Sequence, residues 1–215
     1  MTSSSRSVPR TAPPRTDRAQ TAIAVGRAFA GVVVIGILIQ TFIAGIPTRG
    51  ANPFDYFGYF TNLTSLLASL VLIVTAMTAR AIPVRLHELR GVAVACMIIV
   101  ALIYNIVVPG TGSAPPWVSA TLHIVFPALL VLDWTLVLDR PALRWSRLWI
   151  VLPYPLLWLA VTLIRGATDG WVPYGFLLPE RGGAALLATV VGLLAALLAT
   201  ASVTWLLSRV RLRRR

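Results

Sequence analysis

The stretch AIAVGRAFAGVVVIGILIQTFIA, residues 22–44, decides the fold of this chain. It holds one charged residue, Arg27. The hydrocarbon core of a bilayer is about 30 Å thick, so a helix that crosses it needs about 20 mostly apolar residues. The stretch meets that requirement and is too long for the apolar region of a cleavable signal peptide. It therefore predicts a first membrane-spanning helix that stays in the protein.

Five more apolar runs follow, and the six predicted spans cover residues 22–44, 57–78, 91–108, 119–138, 147–164 and 184–207. The 215 residues are 57% hydrophobic and 12% charged, whereas soluble domains are about 45–50% apolar and about 25% charged. We therefore expect an all-α polytopic bundle of six transmembrane helices over residues 21–208. The Arg-, Pro- and Ser-rich residues 1–20 predict a disordered tail, and residues 209–215 a short basic tail.

The arginines predict the orientation of the bundle in the membrane. All 19 basic residues are arginine, against 7 acidic residues. Sixteen arginines lie near one set of span ends, and only Arg49, Arg165 and Arg181 lie near the other set. Positive residues favour the cytoplasmic side, so both termini are expected in the cytoplasm of a cell whose plasma membrane holds the protein. Because the arginines flank apolar runs, membrane lipids rather than nucleic acids are the expected partners.

This topology places polar residues from four helices at one depth in the outer leaflet. They are Thr61, Asn62, Asn105, His123, Thr162 and Arg165. Polar and ionisable residues inside a membrane are costly and are usually functional. Their convergence predicts a small polar pocket that opens toward the outer leaflet.

A hydroxyl and an imidazole in such a pocket form a candidate nucleophile and base. His123 can take the proton of Thr61, while Asn105 or Arg165 stabilises an oxyanion. Pro127 has no N–H, so we expect a kink in the fourth helix and a free carbonyl at His123.

Packing offers alternative interpretations for the same residues. Thr61, Thr64 and Ser65 share one helix face and can form a small-residue stripe that lets two helices approach closely. His123 can simply hydrogen-bond to a neighbour. The two asparagines are suited to interhelical hydrogen bonds.

The remaining intramembrane charges predict a structural contact. Asp133 lies about 15 Å deeper than His123 along the same helix, too far to orient it. Arg27 lies at a similar distance from the cytoplasmic edge, so we expect an ion pair or network with Asp133. His87 and Glu88 are expected in a solvated loop. With one cysteine and two histidines, neither a metal site nor a cofactor is implied.

Short blocks between residues 57 and 179 resemble the six-proline family of bacterial six-span membrane proteins. The blocks are FGYFT at 57–61, HIVFP at 123–127, LDW at 132–134, YP at 154–155, LIRG at 163–166 and WVPY at 171–174. More distantly, the pattern is similar to the androgen-induced transmembrane proteins of animals, in which a threonine and a histidine hydrolyse fatty acid esters of hydroxy fatty acids. That resemblance implies Thr61 as nucleophile, His123 as base and a lipid ester as substrate. The Ser-Asn pair usual in the bacterial family stands here as Thr64 and Ser65.

Two kinds of function follow from these observations. The first is an intramembrane hydrolase of lipid esters that uses Thr61 and His123. The alternative is a protein without catalytic activity, which binds or transports a lipid or small solute, or serves as a structural membrane subunit. The mostly apolar cytoplasmic halves of the helices count against transport.

Overall fold

Six helical spans form the computed structural model, which describes residues 15–79, 81–112 and 114–210. Each span is long and apolar enough to cross a membrane, and the described residues contain no strand. The predicted all-α bundle of six spans is thus confirmed. The spans cover Arg18–Arg49, Phe60–Met77, Val84–Val107, Pro116–Leu136, Trp145–Thr168 and Gly183–Leu207.

The first helix, α1, extends from Arg15 to Arg49, beyond the predicted 22–44 at both ends. Residues 15–20 are therefore helical where a disordered tail was predicted, and residues 1–14 of that tail lie outside the described part of the chain. Once a helix is nucleated, each added residue gains a backbone hydrogen bond, so the helix continues past the apolar stretch. It passes Pro47 and ends before Gly50, whose φ of +77° suits a glycine after a helix end.

The second span begins with a break that the sequence analysis did not predict. A short helix, α2 (Pro53–Gly58), precedes α3 (Phe60–Met77), and the extended Tyr59, with ψ 122°, separates them. The Asn52 side chain caps α2 by accepting a hydrogen bond from the Phe54 amide at 3.0 Å.

The third span is the central helix of the bundle. It consists of α4 (Val84–Leu102) and a π-helical segment, Ile103–Val107, and α4 packs against four other spans. It starts at residue 84, seven residues before the predicted start at residue 91. The prediction began after Arg90 because that residue is charged, but the structure buries Arg90 in ion pairs. Hydropathy assigns such a residue to solvent, whereas an ion pair allows the helix to bury it.

The last three spans combine several helix types. The fourth contains α5, a π-helical segment and α6; the fifth contains a 3-10 segment and α7; the sixth is α8. Their bounds are Pro116–Ala120, Thr121–Val125 and Phe126–Leu136, then Trp145–Val151 and Pro153–Thr168, then Gly183–Leu207. Pro153 occupies the first turn of α7, where its missing N–H costs no helical hydrogen bond.

The helices α1 and α3 pack closely against each other. Gly31 of α1 lies so close to α3 that a Cβ there would be 2.7 Å from the Ser69 carbonyl oxygen.

The bundle has two ends. We call the end that carries residues 78–90, 137–147 and 207–210 the charged end, and the end that carries residues 49–60, 103–118 and 165–183 the pocket end. Residues 211–215 of the predicted basic tail lie outside the described residues.

Two arginines and two aspartates form a network at the charged end. Arg27 lies 2.8 Å from Asp133 and 2.5 Å from Asp139. Arg90 lies 3.1 Å from Asp133 and 3.0 Å from Asp139. Each arginine therefore binds both carboxylates. The pair expected from the sequence, Arg27 with Asp133, is present, and Arg90 and Asp139 enlarge it into a network of four groups.

His87 does not lie in the solvated loop expected from the sequence. It belongs to α4, is buried, and its Nδ1 lies 3.4 Å from an Arg90 guanidinium nitrogen. The early start of α4 turns this residue toward the bundle, since a helix repeats its faces every three to four residues.

Candidate functional site

Thr61 and His123 meet at the pocket end. The Thr61 Oγ1 lies 3.3 Å from the His123 Nε2. The His123 Nδ1 lies 2.9 Å from the carbonyl oxygen of Ser119. Since that carbonyl can only accept, Nδ1 carries the proton, and Nε2 faces the threonine hydroxyl with its lone pair. This is the tautomer that a general base needs.

Two π-helical segments position the imidazole. His123 lies in Thr121–Val125, and Tyr104 lies in Ile103–Val107. The Tyr104 ring stacks on the imidazole with a centroid distance of 3.5 Å and an interplanar angle of 11°. A π-helical turn changes the direction of the side chains that follow it, and such turns are frequent at functional sites.

The His123 carbonyl has a side-chain partner. The Asn105 Nδ2 donates to it at 3.1 Å and to the Ala101 carbonyl at 2.8 Å. The free carbonyl expected because of Pro127 is therefore satisfied by an amide from the neighbouring span. Asn105 holds the backbone of the histidine, and both its N–H groups are engaged, so it has none left for an oxyanion.

A cavity of about 680 Å³ adjoins the pair, and both Thr61 and His123 line it. Its volume lies within the usual range for small-molecule sites, about 300–1,000 Å³. Apolar side chains of α4, α7 and α8 form the inner wall, among them Ile99, Leu159 and Leu197. The cavity therefore joins a polar pair to an apolar space inside the bundle.

Tyr174 brings a third polar group to Thr61. It lines the same cavity as Thr61. Burial raises the pKa of Tyr174, and its interaction with Thr61 offsets only part of that rise. The phenol therefore stays protonated at neutral pH and can donate. Its ring lies 6.0 Å from that of Trp158 and stacks on Phe176 at 5.2 Å, so the hydroxyl is held by packed aromatic neighbours.

Of the four supporting residues expected from the sequence, one lines the cavity. Asn62 does so, and its Nδ2 donates to the Tyr56 carbonyl at 2.9 Å. Asn105, Thr162 and Arg165 are not part of the cavity wall. Thr162 is fully buried and does not face the cavity. Equal depth in the membrane does not decide in which direction a side chain points around its helix, so residues at one depth need not meet.

Arg165 is directed to the rim of the cavity rather than to the Thr61 hydroxyl. Its Nη2 lies 2.8 Å from Asp55 of α2 and 2.9 Å from Asp169. Its guanidinium also lies over the Trp171 ring at 4.2 Å. The two carboxylates neutralise this arginine, so it joins α2 to α7 instead of stabilising an oxyanion.

Sequence reasoning missed the two tyrosines next to the pair. Tyr174 lies outside the six predicted spans, and Tyr104 lies in the third predicted span directly before Asn105. The one available signal was the position of Tyr104 beside Asn105, at the same depth as His123. Nothing in the sequence places the connecting segment that carries Tyr174 over α3.

The described residues offer no group of three or more His, Cys, Asp or Glu side chains that can hold a metal ion. Comparisons with protein-family models, curated proteins and solved structures found no match to this chain. The six apolar spans show an integral membrane protein of the multi-pass kind.

Proposed function

We propose that this protein is an intramembrane hydrolase of lipid esters, with Thr61 as nucleophile and His123 as general base. The observation that carries the proposal is the 3.3 Å contact between the Thr61 Oγ1 and the His123 Nε2 on the wall of a cavity. A nucleophile and a base within hydrogen-bond reach, with the base oriented by a third group, are the mark of covalent catalysis. Here the third group is the Ser119 carbonyl.

In the first step the Thr61 Oγ1 adds to the ester carbonyl carbon while its proton moves to the His123 Nε2. The ester π electrons move to the carbonyl oxygen, which becomes an oxyanion. The C–O bond to the alcohol then breaks, and the leaving oxygen takes the proton from His123. The product of this half-reaction is an acyl-threonine ester.

In the second step a water molecule gives its proton to His123 and adds to the acyl carbon. The new tetrahedral centre collapses, the Thr61 oxygen leaves and recovers the proton, and a carboxylic acid is released. The sequence of steps needs no redox partner and no metal ion.

Tyr174 is the oxyanion donor in this proposal. It lines the cavity together with Thr61 and interacts with it, and its pKa is raised, so it remains a donor. The other two candidates from the sequence are engaged elsewhere: Asn105 binds two carbonyls and Arg165 binds two carboxylates. A single oxyanion donor is typically worth about 10²–10³ in turnover.

The apolar part of the cavity supports a lipid substrate. Most of the inner wall is aliphatic or aromatic, which suits an acyl chain, since burial of each CH₂ contributes about 0.8 kcal/mol. With the orientation that the arginines predict, the cavity would open toward the outer leaflet of the plasma membrane.

A fluorophosphonate probe tests the proposal, because it reacts covalently with an activated hydroxyl. Purified protein in detergent is expected to be labelled at Thr61. The variants Thr61→Ala and His123→Ala should lose labelling, and Tyr174→Phe should slow it by about 10²-fold or more.

Thr64→Ala is the matched control. Thr64 lies on the same helix, and its hydroxyl lies 2.8 Å from the Tyr154 hydroxyl rather than from an imidazole. This variant should be labelled like the wild type. Absence of labelling in the wild type, or labelling that persists in Thr61→Ala, would contradict the hydrolase and favour a lipid-binding protein without catalytic activity.

A further inference from the structure

The fifth and sixth spans pack together at the charged end and separate toward the pocket end. The 3-10 segment of the fifth span, Trp145–Val151, packs against α8. Within the described part of the chain, the rest of that span, α7, does not pack closely along α8. The change occurs at Pro153, where the α-helix replaces the 3-10 segment. A space is therefore left between α7 and α8 on the side of the pocket end.

Contacts with α2 and α3 hold α7 in place without α8. The Trp158 Nε1 donates to the Gly58 carbonyl at 2.8 Å, and the Tyr154 hydroxyl lies 2.8 Å from that of Thr64. The Phe60 ring contacts both aromatic rings, with centroid distances of 4.9 Å to Trp158 and 5.5 Å to Tyr154. Hydrogen bonds and aromatic packing thus fasten α7 to the second span, so the space beside α8 can persist.

Leucines of both helices line this space. Leu159 of α7 and three leucines from one face of α8 belong to the cavity wall: Leu193, Leu194 and Leu197. Leu159 and Leu197 lie about 15–20 Å from the pocket ends of their helices, at 1.5 Å per residue. This depth is near the middle of a hydrocarbon core about 30 Å thick. The surroundings of the bundle at this depth are therefore lipid chains rather than water.

The water side of the cavity is built differently. Connecting segments line it there, and they contribute Trp171 and Tyr174. Trp171 packs on Gly58, where a Cβ would overlap its ring, and the Arg165 guanidinium lies 4.2 Å from the centre of that ring. Arg165 also binds Asp55 at 2.8 Å. These contacts fasten the wall on the water side, whereas among the described residues no hydrogen bond or ion pair joins α7 to α8.

We propose that the cavity opens sideways into the bilayer between α7 and α8, and that a hydrocarbon chain of a membrane lipid enters it there. Leucine side chains offer water no hydrogen bond, and apolar spaces in proteins stay dry. A chain of the surrounding bilayer is thus the molecule available to fill the space. The inference concerns the way into the cavity and does not depend on the chemistry of Thr61, so it holds equally for a binding protein.

Photolabelling from within the bilayer tests this route. The full chain is placed in phosphatidylcholine nanodiscs that contain an ether-linked phosphatidylcholine with a diazirine in the middle of one chain. Light converts the diazirine into a carbene, which inserts into nearby C–H bonds, and mass spectrometry locates the labelled residues. Leu159 and Leu197 are only 7% and 2% exposed and should nevertheless be labelled. Thr162 and Ala201 are similarly buried on the same helices but do not line the cavity, so they should stay unlabelled.

Two tryptophan substitutions on α8 distinguish entry between the helices from general access. Leu194→Trp places a larger side chain in the space beside α7 and should remove most of the labelling of Leu159. Leu198→Trp makes the same change at an exposed position that does not line the cavity, so the labelling should stay as in the wild type. Leu193→Phe is a milder obstruction and should reduce the labelling less. The thermal unfolding midpoint of each variant shows whether the bundle is folded.

Two results would overturn the inference. Labelling of the exposed Leu157 without labelling of Leu159 and Leu197 would mean that the space is closed to the bilayer. Labelling of the two buried leucines by a water-soluble diazirine, unchanged in Leu194→Trp, would place the entrance on the water side instead. The ether lipid is no substrate for an esterase, and the readout needs no catalysis. A wild type that resists fluorophosphonate but shows the expected photolabelling would therefore remove the enzyme and leave the opening established.

Discussion

At the scale of single residues, His123 is held by four contacts, three to its imidazole and one to its backbone carbonyl. The Ser119 carbonyl accepts from Nδ1, Asn105 donates to the histidine's own carbonyl, Tyr104 stacks on the ring, and Thr61 faces Nε2. A packing residue in a membrane helix needs only one such partner to be satisfied. Four contacts that together set tautomer, ring plane and direction are what a base in catalysis needs.

Tyr104 is a positioning residue by this argument, and its ring rather than its hydroxyl should matter. Tyr104→Leu removes the stacked ring, so the rate of fluorophosphonate labelling should fall about two- to tenfold, as expected from the energy of one aromatic pair. Tyr104→Phe keeps the ring and should keep the rate. An equal loss in both variants would assign the effect to the hydroxyl instead. Labelling rates across pH would show whether the base itself is altered.

At the scale of elements, the short helix α2 borders the cavity and is tied to α7. The tie is the ion pair between Asp55 and Arg165, supported by Asp169. The hydrogen bond of the Trp171 amide lowers the pKa of Asp169, and Arg165 lowers it further, so this carboxylate stays charged at neutral pH. The contact between the elements thus depends on exposed charges at the membrane surface.

Loss of this tie should loosen α2 without unfolding the bundle. In Arg165→Gln, amide hydrogen exchange of residues 53–58 should accelerate up to about fivefold, since partly exposed ion pairs contribute about 0–1 kcal/mol. High salt should reproduce part of the effect in the wild type. Arg181→Gln, also at the pocket end, should leave the exchange unchanged. Unchanged exchange in Arg165→Gln would mean that aromatic packing alone holds α2.

At the scale of the whole molecule, the charged end joins parts of the chain that are distant in sequence. Arg27 of α1, Arg90 of α4, Asp133 of α6 and the following Asp139 meet there. Burial alone would raise the pKa of Asp139, but the hydrogen bond from Arg27 and the charges of both arginines outweigh it and lower the pKa. A carboxylate with a lowered pKa stabilises the folded state.

The stability of the bundle should therefore fall in acid. The contribution of Asp139 is complete above its unfolded pKa of about 4 and is lost as pH falls through the lower folded pKa. Thermal unfolding in detergent should show a midpoint that drops over this range. Asp139→Asn should lower stability by about 2 kcal/mol at neutral pH and weaken the acid dependence. Glu180→Gln, at an exposed position of the pocket end, should retain the wild-type profile.

The arginines predict the orientation of the whole bundle, and thiol labelling can test that prediction. The native Cys96 is fully buried, so it provides no background. Thr111→Cys lies at the pocket end and Ala142→Cys at the charged end, both at exposed positions. A membrane-impermeant maleimide added to intact cells should label the first and not the second. The reverse result would place the cavity on the cytoplasmic side.

The sequence by itself determined the number of spans and the depth of the polar residues. Hydropathy is a sum over neighbouring residues, and the fixed rise of a helix converts position into depth. Thr61 and His123 were predicted together because both lie about one turn inside predicted spans, 57–78 and 119–138, that begin at the same end of the bundle.

Only the tertiary structure decided which side chains meet at that depth. Thr162 points into packed neighbours, and Tyr174 reaches Thr61 from a connecting segment. Arg90 and His87 are buried where hydropathy predicts solvent. The physical reason is the same in each case. The rotation of a helix about its axis, and the partner that makes a buried charge tolerable, depend on contacts between residues far apart in the chain.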